Sequence, residues 1–216
     1  MPSISAEEYK KLEPYIQLGE KLGAFLAQLA CERLEEVRIS YDGGLAQLNT
    51  HLVKNAVLKG VLNRMLSEQA NLVNAGALAQ ERGLEVTEMR SARRAGFSNS
   101  LGIALKTESD STTALGMVDI RGELRILGIN DLDIDAPLNG YILFMRNQDV
   151  PGVIGRVGTI LGNAKVNIAN FALGRKQGEA GGDALGLVNV DSPVPESVLN
   201  ELRSIPAVRA AKVVQV

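Results

Sequence analysis

Tyr15, Leu18, Leu22, Leu26 and Leu29 recur at helical spacing and write one apolar stripe ending near Ala30. Ser5 followed by Glu8 is the capping-box pair that opens such a helix, and Pro14 predicts either a kink or the true first turn. The pattern then changes period. Val37, Ile39 and Tyr41 alternate with polar neighbours as a strand, closed by the turn Asp42-Gly43-Gly44. Helical spacing returns over 50–65 and 71–82, ended by Gly83. Strands follow over 84–89, 100–107, 114–121 and 123–129, the last two joined by a tight hairpin around Arg121-Gly122-Glu123.

Residues 130–139 are acidic and turn-rich, with Asp131, Asp133, Asp135 and Pro137, and mark the expected domain boundary. Beyond them the pattern predicts strand 141–146, helix 151–164, strand 166–173, strand 184–190, helix 196–204 and strand 210–216, with a loose hairpin tip over 178–182. That order is βαββαβ, the ferredoxin-like arrangement of a four-stranded antiparallel sheet under two helices. The expected fold class is therefore α/β in the broad sense (α+β). A mixed α/β domain over 1–138 precedes a ferredoxin-like domain over 139–216.

Composition narrows the function classes. The 216 residues suffice for one large or two small domains, and 45% hydrophobic against 22% charged residues is ordinary for a protein with a real core. There is no Trp and only four Phe and four Tyr, so aliphatic side chains must build that core. A net charge of −2 offers no basic footprint for nucleic acid. No apolar run approaches the ~18 residues of a membrane span, and the N-terminus has no signal-peptide h-region. Single residues, Cys31 and His51, exclude an internal disulfide and a His-rich metal site. A cytoplasmic protein with no metal, nucleic-acid or membrane partner is the expectation, and Met1 to Ile4 read as a cut end.

The chemistry concentrates between Gly140 and Arg175, where polar residues collect at the end of one strand and the start of a helix. A helix N-terminus there presents free backbone N–H groups to an anion. Asn147 and Asp149 before Val150-Pro151-Gly152 are equally ordinary turn and cap residues, and Asn167 equally closes a helix-to-strand connection. The glycines at 152, 155, 158 and 162 do not match a phosphate loop; their spacing gathers them near one helix face, where close packing against another backbone is expected. His51 reads as a surface or cap residue and Cys31 as buried and inert.

Residues 147–155 (Asn-Gln-Asp-Val-Pro-Gly-Val-Ile-Gly), Val166-Asn167-Ile168-Ala169, Leu173-Gly174-Arg175 and the late Asp191-Ser192-Pro193-Val194-Pro195 resemble an ACT domain, a small-molecule-sensing module of amino-acid biosynthetic enzymes. The stretch 18–29, with Asn71-Leu72-Val73-Asn74-Ala75 and Ala79-Gln80-Glu81-Arg82-Gly83, resembles the segment beyond the catalytic core of long bacterial D-3-phosphoglycerate dehydrogenases. Together these cover nearly the whole chain. The resemblance implies an intervening allosteric domain over 1–138 and an ACT domain over 139–216, joined in the parent enzyme to catalytic domains that carry NAD. The chain itself shows no Gly-x-Gly-x-x-Gly dinucleotide fingerprint and no histidine beyond His51, so no catalytic residue and no cofactor is assigned to it.

What the resemblance implies for function is feedback inhibition by L-serine, bound between the ACT domains of a homodimer or larger self-assembly and relayed to the catalytic domains. Positions matching Asn147 and Asp149 contact the ligand from one subunit and Asn167 from its neighbour. Pro151, Gly152, Val153 and Ile154 would offer the helix N-terminus to the carboxylate, with Asp149 facing the ammonium. In some relatives the intervening domain binds an anion. Arg93, Arg94 and Arg125 are the candidates here, against the reading of a solvated charged face beside Arg90 and Arg121. Three alternatives stay open: an L-serine dehydratase β-type subunit, a structural ACT pair without ligand, and a sensor of another amino acid such as glycine. The first family opens on a Ser-Ser-Ser-His-Thr-Ala-Gly-like motif that residues 3–29 lack.

Overall fold

The computed structural model describes residues 5–30, 32–65, 69–91, 99–175 and 181–216. Cys31, Arg93, Arg94, residues 1–4 and most of the 178–182 tip lie outside the described residues. The chain divides into two compact units, Met1–Arg125 and Ile126–Val216.

In the first unit, helix α1 runs Ala6–Leu29, with Ser5 as its cap accepting from the Glu8 N–H at 3.2 Å. Pro14 lies inside it, neither starting nor ending the helix. Proline costs the bond its N–H would have donated to the carbonyl four residues back; the buried stripe Leu12, Ile16, Leu18, Leu22 and Leu26 carries the helix across that gap. Strand β1 (Leu34–Gly43), helix α2 (His51–Met65), helix α3 (Ala75–Glu81), and strands β2 (Glu85–Ser91), β3 (Asn99–Thr107) and β4 (Ser111–Val118) follow. β2 is parallel to β1, whereas β3 is antiparallel to both β1 and β4. α1 packs on α2, β3 and β4.

Two expected elements are shorter than their sequence pattern. The helix over 71–82 begins only at Ala75, because Asn71 Oδ1 accepts from the Val73 and Asn74 N–H groups at 2.8 and 3.0 Å. A short polar side chain thus offers the backbone an alternative to the helix. The strand over 114–121 stops at Val118, where Asp119 Oδ1 accepts from the Arg121 and Glu123 N–H groups and Gly122 takes φ +83° to turn the hairpin.

Strand β5 (Leu124–Ile129) spans the division, and β6 (Leu132–Pro137) lies in the stretch expected to be a turn-rich boundary. Ile134, Ala136 and Leu138 are buried while Asp133 and Asp135 are exposed, a period-two strand hidden beneath an acidic composition. β6 packs against β8 (Ile168–Arg175) and β9 (Asp183–Val190), so 130–139 folds with the second unit. Gly174 lets this happen: a Cβ there would stand 2.6 Å from the Asp133 carbonyl.

The rest of that unit adds β7 (Tyr141–Gln148), α4 (Val153–Asn163), α5 (Glu196–Arg203) and β10 (Val208–Gln215). The sheet order β10-β7-β9-β8 is antiparallel throughout, which is the ferredoxin-like βαββαβ fold the pattern predicts. Leu143, Met145, Val157, Leu161, Val188 and Leu202 form its core between sheet and helices. α4 is two residues shorter at its start than expected and β8 begins two residues later, so Asn167 precedes the strand and Arg175 ends it. Among the described residues no helix is long and apolar enough to cross a membrane.

Candidate functional site

Asn147 sits near the end of β7, two residues on from Met145 and therefore on the same helix-covered face. It is only 4% exposed. Its Nδ2 donates to the Gln148 carbonyl at 2.8 Å, but its Oδ1 has no hydrogen-bond partner among the described residues. A buried amide oxygen left so costs on the order of 1–3 kcal/mol.

The backbone after Asn147 is fixed from both sides. Gln148 N–H donates to the Ala207 carbonyl, Asp149 N–H to Gly182, and Val150 N–H back to Gln148, all between 2.8 and 2.9 Å. Gly152 then takes φ +91°, which only glycine adopts freely, and turns the chain into α4 as its N-cap. No side chain caps α4. Its first-turn N–H groups, beside Val153 and Ile154, have no intrahelical acceptor and face outward from the positive end of the helix dipole. Val153 is buried in the core, whereas Pro151 and Gly152 are exposed and Ile154 is half-exposed. The Asp149 carboxylate, largely covered, lies 3.5 Å from the guanidinium of Arg175 at the end of β8. Sequence alone left Arg175 without a role; its signal is its place as the last residue of a strand neighbouring this turn.

Asn167 is not part of this group within one chain. Its Nδ2 donates to Asp191 Oδ2 at 2.6 Å, and its carbonyl accepts the Asp191 N–H. Asn147 is level with Ala184 on β9, whereas Ile168 is level with Val190 at the other end of that strand. Six residues of strand separate the two levels, about 20 Å at ~3.3 Å each. No small ligand spans that distance, so the three residues meet only if two copies supply them.

Of the basic positions expected to form a second anion site, Arg93 and Arg94 lie outside the described residues. Arg90 donates to the Ala46 and Leu48 carbonyls and to Thr50 Oγ1, with its guanidinium 5.7 Å from the Tyr41 ring centroid. Tyr41 donates to Glu88 at 2.9 Å, as does Lys54. Burial, reinforced by the Glu88 charge, drives the Tyr41 hydroxyl well above the usual tyrosine range. This is a saturated structural network. Arg125 lies in β5. His51 opens α2, exposed, and its backbone N–H donates to Asn49 Oδ1, so it is a surface residue at the helix start and not the cap.

The glycines of α4 depart from expectation. Among the described residues nothing lies within 4 Å of a Cβ built at Gly155, Gly158 or Gly162, so they pack against no described backbone. Nor does the β7–α4 turn make a dinucleotide cradle. β9 lies between β7 and β8 and is antiparallel to both, where a Rossmann crossover joins parallel strands that are neighbours.

Comparison with known proteins agrees with this architecture. Residues 11–130 match the D-3-phosphoglycerate dehydrogenase intervening domain, and residues 141–207 match the ACT domain. The chain is 35% identical to D-3-phosphoglycerate dehydrogenase of Synechocystis sp. over its whole length, which is 39% of that protein. It is 32% identical to the Bacillus subtilis enzyme of the same name, covering 99% of the chain and 40% of the relative. With that of Methanocaldococcus jannaschii the identity is 33%, at 99% and 40% coverage. The chain thus spans about two fifths of the length of the curated relatives it matches. An intervening domain followed by an ACT domain, aligned from end to end with these enzymes, places the chain in the D-3-phosphoglycerate dehydrogenase family, in its regulatory region.

Proposed function

We propose that this chain is the effector-sensing part of a D-3-phosphoglycerate dehydrogenase, that it binds L-serine between two paired ACT domains, and that this binding feeds back on the enzyme. The observation that carries the reading is the buried, unpartnered Asn147 Oδ1 beside the uncapped N-terminus of α4. An acceptor lacking a donor and a row of donors lacking an acceptor are complementary to one molecule that brings both.

L-Serine does. Its carboxylate takes the first-turn N–H groups of α4, where Pro151 wastes no donor and Gly152 admits the ligand. Its ammonium faces Asp149, and its hydroxyl or ammonium donates to Asn147 Oδ1. Asn167 of a second copy closes the site. Pairing of two copies is supported by the separation of Asn147 from Asn167, by the open glycine face of α4, and by the exposure of Ile154 and Leu173. Ligand binding then strengthens or reorients the pair, with a coupling of about 1–3 kcal/mol typical of such linkage. The catalytic domains, with their NAD, belong to the parent enzyme, and the setting is the cytoplasm. A glycine sensor would have only its ammonium to offer both Asp149 and Asn147 Oδ1, and a structural pair would leave that oxygen without a donor.

Isothermal titration of the chain with L-serine, with D-serine and Asn167→Ala as controls, tests this reading. Saturable, stereospecific binding lost in the variant is expected. A folded, dimeric protein that gives no heat with L-serine overturns it.

A further inference from the structure

Resting on the effector reading above, we propose that Arg175 is the specificity residue of the site. Its guanidinium holds Asp149 until the ligand arrives and then receives the ligand's carboxylate, so that only a molecule carrying both charges is admitted.

The geometry sets an electrostatic problem for the ligand's ammonium. The carboxylate that is to receive it already faces a guanidinium at 3.5 Å. Asp149 is the more covered partner, 22% exposed, while Arg175 is 64% exposed. The aspartate has its N–H tied to the Gly182 carbonyl, and the arginine head is the part free to swing through solvent. A cation approaching Asp149 alone displaces Arg175 toward the positive end of α4, adding like-charge repulsion to the loss of an ion pair. A carboxylate approaching alone can take Arg175, but it strips Asp149 of its counter-ion in a partly desolvated turn. A zwitterion does neither, because it exchanges one ion pair for two.

Arginine suits the second half of this exchange better than lysine. Its planar fork accepts a carboxylate through two N–H groups, and it stays charged throughout the physiological range. The helix N-terminus supplies fixed partial charge, which attracts any anion. Arg175 adds the requirement that Asp149 be compensated at the same moment. Discrimination therefore lies in the Asp149–Arg175 pair, and affinity in the helix end and Asn147.

The test compares L-serine with its two halves, ethanolamine and 3-hydroxypropionate, by calorimetry on the whole chain. The wild type and the variants Arg175→Gln and Arg175→Lys are titrated, and their folding is checked by melting temperature. The wild type is expected to bind L-serine and to take up neither half measurably at the same concentrations. Arg175→Gln is expected to weaken L-serine by about tenfold or more, the scale of one charge-assisted bond, while ethanolamine binding rises. Arg175→Lys retains part of the discrimination, and it decides the matter by the same ratio if the glutamine variant does not fold. Unchanged L-serine affinity in Arg175→Gln, or a loss for L-serine with no rise in ethanolamine binding, overturns the role of Arg175 and leaves the effector site standing. A wild type that does not bind L-serine overturns both.

Discussion

Gly19, Gly23 and Gly60 sit where α1 crosses α2, and a methyl group at any of them would strike the opposing helix. A Cβ on Gly23 would stand 2.6 Å from the Val57 carbonyl, one on Gly19 3.0 Å from Val57 Cγ2, and one on Gly60 would overlap the Glu20 carbonyl. On α4, Gly155, Gly158 and Gly162 recur at a spacing of three to four, yet no described residue lies within 4 Å of a Cβ at any of them. A mid-helix glycine costs up to about 1 kcal/mol relative to alanine in either place. In the first unit the close approach of two backbones offsets that cost within the chain. In the second no described residue supplies that offset, and the pairing of two copies proposed above would supply it.

The first way to break the comparison is Gly60→Ala. The added methyl meets backbone, which cannot rotate away, so the helices must separate. A loss of about 1–3 kcal/mol or more is expected, read as a fall in the urea midpoint without a change in slope. Unchanged stability would mean that the α1–α2 crossing yields easily and that its glycines are no different from those of α4.

Gly158→Ala probes the other side, and its two effects have opposite sign. The isolated unit should gain about 0.5–1 kcal/mol from better helix propensity. The dimer should weaken by roughly tenfold, about 1.4 kcal/mol, if a second α4 needs that space. Sedimentation across a concentration series separates the two. A variant more stable and equally dimeric would remove α4 from the interface.

Asn147→Leu should have a smaller effect still on unliganded stability. It deletes the orphan acceptor and replaces it with an apolar side chain of similar size, which is neutral or stabilising by up to about 1 kcal/mol. The Gln148 carbonyl keeps its bond from the Val150 N–H. L-Serine binding should vanish. A large drop in melting temperature would show that Asn147 is a structural bracket, and the reading of it as a ligand acceptor would fall.

Much of this was legible in the sequence, but not the difference between the two glycine faces. The β-α-β-β-α-β order could be read from period changes alone, and so could the cap at Ser5 and the hairpin at Gly122. The glycine spacing of α4 announced a face but not what lies opposite it, since that is a tertiary fact. Asn71 and Asp119 shortened their elements through side-chain bonds to backbone, which hydrophobic periodicity does not register. β6 was masked by its aspartates, whose alternation with Ile134 and Ala136 carried the signal that their charge obscured. Asn147 and Asp149 were visible as a cluster; the empty valence on Asn147 and the Arg175 partner of Asp149 appeared only once the turn was folded.

The smallest expected effect is electrostatic and belongs to the first unit. Glu36 is buried, with Arg38 gripping both its oxygens at 2.6 and 2.8 Å and Thr87 donating at 3.1 Å. The Arg38 bonds, with burial opposing them, hold its carboxyl below the ordinary glutamate value of 4.5. At Glu88 burial pushes upward, but the Lys54 and Tyr41 bonds and the nearby charges of Lys54 and Arg90 outweigh it, so that carboxyl is also depressed. A group whose folded pKa is depressed adds stability above its unfolded value, and that stability is lost as pH falls through the folded one. The melting temperature should therefore be steady near neutrality and decline once pH passes below about 4.5. Glu36→Gln and Glu88→Gln should each start lower and decline less steeply. α4 contains a single charged residue, Arg156, and no carboxylate, so acid should loosen the first unit without acting on the glycine face itself. A wild-type profile as flat as that of a protein carrying both Glu36→Gln and Glu88→Gln would show that neither glutamate is held at a depressed pKa in the folded state.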